Sequence, residues 1–299
     1  MSYLPSKLLE KRLIQFLQED MEYGDITSNL IPNIQVQANV ISKEEGILCG
    51  LDFTKILLRF LDIEVSSLFN DGDVIRKGDI IMQLRGLSRD ILVSERTILN
   101  LLMRLSGIAT QTRKLVDRVK NLGHDIIIAS TRKTTPGFRY FEKYAVNIGG
   151  GDPHRWSLSD TVLIKENHLS LLRKGAILKI LNKTKNMTSF TKKVDIEVEN
   201  LSELKEALKL TPDIIMLDNF SIEDIYSAIE IVRNASKQPY PLIEVSGGIS
   251  DQNIEKYLIA GIDIISMGNL THSVKSIDFS LKIIKPMSSF SSGETHSVE

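Results

Sequence analysis

The 299-residue chain has little cysteine, little net charge and no long apolar run, and each shortage excludes something. Cys49 is its only thiol, so no intramolecular disulfide can form, which fits a reducing compartment. Next to Gly50, that thiol reads as a small core side chain. No segment approaches the ~20 apolar residues that a membrane span needs. Residues 1–23 are amphipathic and dotted with charge, unlike a signal peptide. The expected location is therefore the cytoplasm. A formal net charge of −1 gives no footprint for nucleic acid. His154 and His168 lack a spacing such as H-x-x-x-H, so both read as hydrogen-bonding residues rather than metal ligands.

What is present is ordinary in amount and uneven in place. Hydrophobic residues make up 42% and charged residues 25%, enough to bury a core without cross-links, and the length suits two domains. Eight cations fall in one stretch: Arg132, Lys133, Arg139, Lys143, Arg155, Lys165, Arg173 and Lys174, with His154 and His168 among them. A basic cluster inside a neutral chain points to a small anionic ligand.

Along the chain, residues 7–19 have helical apolar spacing and residues 38–48 read as strand. Residues 70–79 form two turns around a short strand, as in a compact β sandwich. Residues 91–122 follow one helical face, interrupted at Ser106-Gly107, where a kink or a close contact is possible. The domain boundary is placed there: an α/β sandwich over 1–110, a catalytic domain over 111–274, and an extension over 275–299. That extension is expected to return to the first domain, with a loose Ser-rich end after Pro286.

Beyond the boundary, strand-like runs at 126–129, 162–164, 194–198, 214–217, 242–245 and 262–267 alternate with helical stretches. Those stretches are 138–148, 169–181, 201–210, 222–233 and 254–260. Strands apolar on both faces imply a parallel sheet. Each ends in a residue with chemistry: Arg132-Lys133, Lys165, Glu197, Asp218, Ser246-Gly247-Gly248 or Gly268-Asn269. Collecting all of them in one place is what a (β/α) barrel does, whereas a doubly wound sheet uses only the strands at its switch point. Six units fall short of eight, so an incomplete, open-sided barrel is expected.

Three constellations follow. Ser246-Gly247-Gly248 and Gly268-Asn269 lie after the last two strands, where barrel enzymes bind phosphate through backbone N–H groups and the start of a following helix. Residues 131–137, 149–155 and 163–168 gather Arg132, Lys133, His154, Arg155 and Lys165. Cations converging without acidic partners call for an anion, and Gly149-Gly150-Gly151 suggests backbone lying close to a ligand. In Val194-Asp195-Ile196-Glu197-Val198-Glu199, alternation puts three carboxylates on one face, and Asp218 closes the next strand. Glu197 and Asp218 suit a developing sugar cation or Mg²⁺ on a diphosphate; salt bridging to the lysines is the other reading, favoured for Glu199. Taken alone, these parts describe a barrel that binds a phosphorylated sugar beside a multiply anionic small molecule.

The same residues resemble the quinolinate phosphoribosyltransferase family. The resemblance runs through Tyr23-Gly24-Asp25-Ile26-Thr27-Ser28, Ser94-Glu95-Arg96-Thr97, Leu105-Ser106-Gly107-Ile108, residues 131–137, Lys143-Tyr144-Ala145-Val146, residues 149–155, residues 163–168, Leu217-Asp218-Asn219 and Ser246-Gly247-Gly248. It implies a sandwich followed by an open barrel of the type II phosphoribosyltransferase kind. The implied reaction is transfer of phosphoribose from phosphoribosyl pyrophosphate to quinolinate with decarboxylation, requiring Mg²⁺. Arg132, His154, Arg155 and Lys165 would hold quinolinate, with Arg96 reaching in from the partner of a homodimer. Lys133, Glu197, Asp218 and the glycine loops would hold the donor and its metal, so that Lys165, Glu197 and Asp218 form the catalytic set. Ser130, where the family often has Asp, and Asp152-Pro153 before His154 depart from the pattern and bear on substrate preference. A nicotinate-type transferase without decarboxylation stays open, although four to five cations favour two carboxylates. So does a catalytically silent metabolite-binding or molybdenum-associated relative, against which intact Lys165-Glu166-Asn167-His168 speaks.

Overall fold

The computed structural model describes residues 4–21, 23–165, 167–168, 189–235 and 239–286. The expected helix over 169–181 and the Ser-rich end lie outside the described residues. The chain forms two compact units, one of residues 1–107 with 275–299 and one of residues 108–274.

In the first unit, helix α1 (Ser6–Asp20) buries Leu9, Leu13 and Leu17, a strict four-residue repeat that lays one stripe against the core. Strand β1 (Gln35–Ser42) alternates exposed and buried residues, whereas β2 (Gly46–Ile47) is a separate short strand. Helix α2 (Leu51–Phe60), β3 (Glu64–Ser66), β4 (Val74–Ile75) and β5 (Ile80–Leu87) follow. A single strand over 38–48 is not what forms, because the chain turns after Ser42. There, the Ser42 hydroxyl donates to the Glu44 carbonyl, closing a local turn. Cys49 is fully buried, its backbone bound on both sides by the Ser106 hydroxyl, and burial raises its thiol well above the usual value. This is a packing thiol.

Helix α3 (Ser88–Asn121) runs 34 residues without a break at Gly107. A Cβ there would stand 2.3 Å from the Lys275 carbonyl, so Gly107 serves close approach of the returning chain. The last strand, β12 (Phe279–Pro286), pairs antiparallel with β1, giving the sheet order β12-β1-β5-β3.

The second unit holds β6 (Ile127–Ala129), α4 (Arg139–Ile148), β7 (Val162–Ile164), β8 (Val194–Val198), α5 (Leu201–Leu208), β9 (Ile214–Asp218), α6 (Ile222–Ala235), β10 (Leu242–Ser246), β11 (Ile264–Ser266) and α7 (Asn269–His272). The six strands are all parallel, in the order β6-β11-β10-β9-β8-β7. Among the described residues no ladder joins β6 to β7, so the sheet does not close into a barrel. The segment at Asp152 lies along the free side of β6, exchanging hydrogen bonds with Ile128 and Ser130. Between β10 and β11 there is only a 3-10 turn, Ile254–Tyr257, rather than the expected helix. Asn253 explains it: its side chain accepts from the Ser250 backbone and donates to the Gly248 carbonyl, which spends the first turn on the loop.

Candidate active site

All six strands run the same way, so their C-terminal ends share one side of the sheet, and register sets which side chains share a row. Glu197 of β8 pairs with Met216, which pairs with Glu244 of β10. Asp195 lies two residues earlier on β8. Asp195 and Glu244 are fully buried, and Glu197 is 5% exposed. A floor of carboxylates therefore underlies the strand ends.

The cations stand around that floor. Lys165, just past β7, binds Glu197 through Nζ, and its backbone N–H donates to His168 Nδ1 at 3.0 Å. His154 places Nε2 3.2 Å from Glu244 Oε2. His154 is held at φ 53°, where its N–H donates to Asp152 Oδ1 at 2.6 Å, an Asx turn that offsets the unfavourable backbone geometry. Burial lowers the Arg155 pKa, with the Arg132 charge second, while Asp195, Glu197 and Glu244 support its charged form. The converse holds for Asp195: burial first, then Glu244 and Glu197, push its carboxyl well above the usual range. The cations thus do have acidic partners, contrary to the expectation from sequence. Among the described residues, Arg132 still keeps a buried Nε without a hydrogen-bond partner, and both Asp195 oxygens are likewise unbonded.

At the other strand ends, backbone replaces charge. Asp218 accepts from Asn219 Nδ2 at 2.8 Å, and Asn219 adopts φ 56° while its N–H bonds the Ser246 carbonyl. Gly247 has φ 96°, and a Cβ there would fall 2.2 Å from Asn219 Oδ1. Gly248 follows at φ 61°. Asn269 donates to the Ile249 carbonyl, tying the two glycine loops together, and Thr271 donates to the Lys133 carbonyl at 2.7 Å. The Lys133 stem lies over Gly268, whose added Cβ would meet Lys133 Cδ at 3.0 Å. The loop after β10 is anchored to α3 by Arg118, which binds both Asp251 and Glu255.

Two sequence readings need correcting. Gly149 and Gly151 face Thr112, where an added Cβ would come within 2.5 and 2.7 Å of its side chain, so these glycines let α3 pack closely. The glycine loops gain little from following helices, because β10 leads to a 3-10 turn and β11 to the four-residue α7. Glu199 is exposed and outside the site. Glu244 was not singled out, although a carboxylate inside Leu242-Ile243-Glu244-Val245 is itself a signal. Arg96 lies exposed on α3 within the first unit.

His154, Asp195 and Glu244 can bring one ligand atom each within 4.8 Å of one another. An imidazole beside Arg155 and Lys165 is a poor setting for Mg²⁺, which prefers oxygen ligands and keeps much of its water. Half-buried Asp218 fits Mg²⁺ on a diphosphate better.

Two family models cover nearly the whole chain: the quinolinate phosphoribosyl transferase N-terminal domain over residues 25–106 and the C-terminal domain over 108–282. The chain belongs to the quinolinate phosphoribosyl transferase family. A Methanocaldococcus jannaschii relative named probable nicotinate-nucleotide pyrophosphorylase (carboxylating) is 45% identical over 279 residues, covering 92% of this chain and 97% of that one. An Archaeoglobus fulgidus relative of the same name is 43% identical, covering 89% of this chain and 100% of that one. The solved nicotinate-nucleotide pyrophosphorylase of Francisella tularensis superposes with a TM-score of 0.84 at 41% identity, covering 94% of this chain and 98% of that one. Among the described residues, no helix is long and apolar enough to cross a membrane.

Proposed function

We propose that this family member is a cytoplasmic carboxylating nicotinate-nucleotide pyrophosphorylase. It transfers phosphoribose from phosphoribosyl pyrophosphate to quinolinate and releases pyrophosphate and carbon dioxide. The observation that carries the reading is the gathering of Arg132, His154, Arg155 and Lys165 at the strand ends of one sheet, a cationic seat matched to adjacent carboxylates.

The pyridine nitrogen attacks C1′ of ribose, forming the C–N bond as the C–O bond to pyrophosphate breaks. The ring is then a pyridinium. The bond to the neighbouring carboxylate breaks, its electron pair stays on the ring carbon beside the positive nitrogen, and a solvent proton replaces the lost carbon dioxide. The protein orients the two reactants and offsets charge. Lys165 exchanges Glu197 for a substrate carboxylate, which frees Glu197 to face the ribose as positive charge develops. Asp218 and Glu197 would hold Mg²⁺ through the donor, and the ion would supply positive charge to offset that of the diphosphate. Lys133, Ser246, Gly247, Gly248, Gly268 and Asn269 hold the donor phosphates. Arg96 completes the quinolinate seat of the partner subunit in a homodimer.

Incubation with phosphoribosyl pyrophosphate, Mg²⁺ and either quinolinate or nicotinate tests the reaction. One carbon dioxide per mononucleotide from quinolinate is expected, with nicotinate a poor substrate. Equal turnover of nicotinate, or no product from either acid, overturns it. For the shared site, Arg96→Ala and Lys165→Ala homodimers should each be nearly inactive. Mixing them by reversible dissociation should restore roughly a quarter of wild-type activity, since half the dimers carry one intact site. No recovery despite verified subunit exchange would place the role of Arg96 within its own chain.

A further inference from the structure

Lys143 is fully buried on the inner face of α4. Its Nζ donates to the Ser130 hydroxyl at 3.2 Å and to the Pro153 carbonyl, and Ser130 Oγ donates to the same carbonyl at 3.0 Å. Ser130 immediately precedes Thr131-Arg132-Lys133, and Pro153 immediately precedes His154-Arg155. A single ammonium therefore stands where the two loops carrying four site cations cross. Among the described residues, its hydrogen-bond partners are one hydroxyl and one carbonyl. A neighbouring contact runs through the backbone alone, the Ser130 N–H donating to the Asp152 carbonyl at 2.9 Å.

A charged donor holds a carbonyl more tightly than a neutral one, so the strength of this crossing depends on the proton. Burial is the main pressure to lose it. Arg139 on the same helix and Arg132 on the loop after β6 add repulsion, while Asp152 and Asp160 act the other way, and the balance brings the lysine from 10.5 to about 8.

We propose that Lys143 is a positioning residue for the pyridine-carboxylate seat, clamping the loop after β6 to the segment 152–155 while protonated and releasing both when neutral. This rests on the proposed placement of the acceptor substrate against Arg132, His154 and Arg155. Loss of the proton loosens the seat and weakens the grip on quinolinate, with a smaller effect on the donor and on turnover at saturation.

The test follows the KM for quinolinate from pH 7 to 9.5 at saturating donor and Mg²⁺, alongside NMR of Lys143 Nζ and of the Arg132 and His154 backbone amides. In the wild type, the KM should rise roughly tenfold through a midpoint shared by all three signals. Ser130→Asp puts a carboxylate beside Nζ and should move that midpoint upward by about one pH unit or more. Lys143→Met should have a raised KM with no alkaline rise. A Ser130→Asp midpoint left in place, or amides that ignore the Lys143 titration, would overturn the clamp. The NMR arm needs no turnover. Absence of reaction with quinolinate would sink the functional reading, and the clamp would still be decided by whether those amides follow Lys143.

Discussion

The two halves of the strand-end surface are built by different means. Around β6, β7 and residues 152–155, long cationic side chains stand over buried carboxylates, and the fold holds them with His154–Glu244, Lys165–Glu197 and the Lys143 crossing. Around β9, β10 and β11, the surface is backbone: Asn219, Gly247 and Gly248 all at positive φ, locked by hydrogen bonds between neighbouring loops. A flat aromatic dianion is best met by separate charges set at its carboxylates. A phosphate is met by N–H groups, which need the main chain to come close. The buried carboxylates pair with cations of this half, so that in the proposed reaction binding is an exchange of partners.

That contrast makes separable predictions. The largest effect belongs to Lys165→Ala, which strips a charge from the cationic half and removes one partner of buried Glu197. Quinolinate affinity by calorimetry should fall by about 3–5 kcal/mol while donor affinity holds. Wild-type quinolinate affinity would break the division. Asp218→Asn, on the other half, should reduce turnover by about 3 kcal/mol of transition-state stabilisation and leave quinolinate binding nearly intact. Steady-state kinetics with both substrates varied would reveal the opposite pattern if the roles are reversed.

Lys143 sharpens the comparison through stability. Its pKa in the folded chain, about 8, lies below its ordinary value of 10.5. The burial penalty is therefore complete below pH 8 and is relieved as pH rises toward 10.5. Urea unfolding of wild type relative to Lys143→Met should show wild type gaining about 3 kcal/mol across that window, at roughly 1.4 kcal/mol per unit. A flat difference would mean that the lysine keeps its ordinary pKa in the folded chain, as a solvated ammonium does. Smallest, Gly247→Ala forces a side chain onto Asn219 at a φ that disfavours it, costing about 1–3 kcal/mol. Donor binding should weaken while quinolinate binding does not; equal loss of both would show that the halves are mechanically one.

The strands were legible because apolar runs bounded by turns have few other uses, and β7 and β8 form over the residues expected. The strand-end residues were legible for the same reason: a polar group at the end of a buried run stands out. Packing between distant segments was not. Nothing local shows that Gly149 and Gly151 face Thr112, or that Asp152 lies along β6, because both depend on helix α3 and strand β6 arriving beside them. Asp195 was placed on its face by alternation, but its proximity to Glu244 is a matter of register across β9, which no single strand encodes. Lys143 looked like one more cation in a basic stretch until its hydroxyl and carbonyl partners were visible.

The pairing of β12 with β1 has a consequence for how the chain is made. Phe279–Pro286 covers one side of β1, so without it that strand is the outer edge of the sheet, carrying Val36, Ala38 and Val40 on its inward face. A ribosome delivers those residues more than two hundred positions before the strand that covers them. The nascent first unit therefore waits with an open strand edge, the kind of template on which other chains add, until the second unit has been synthesised. Chaperone demand during translation should peak in that interval, and a premature stop just before Phe279 should damage the first unit while sparing the parallel sheet.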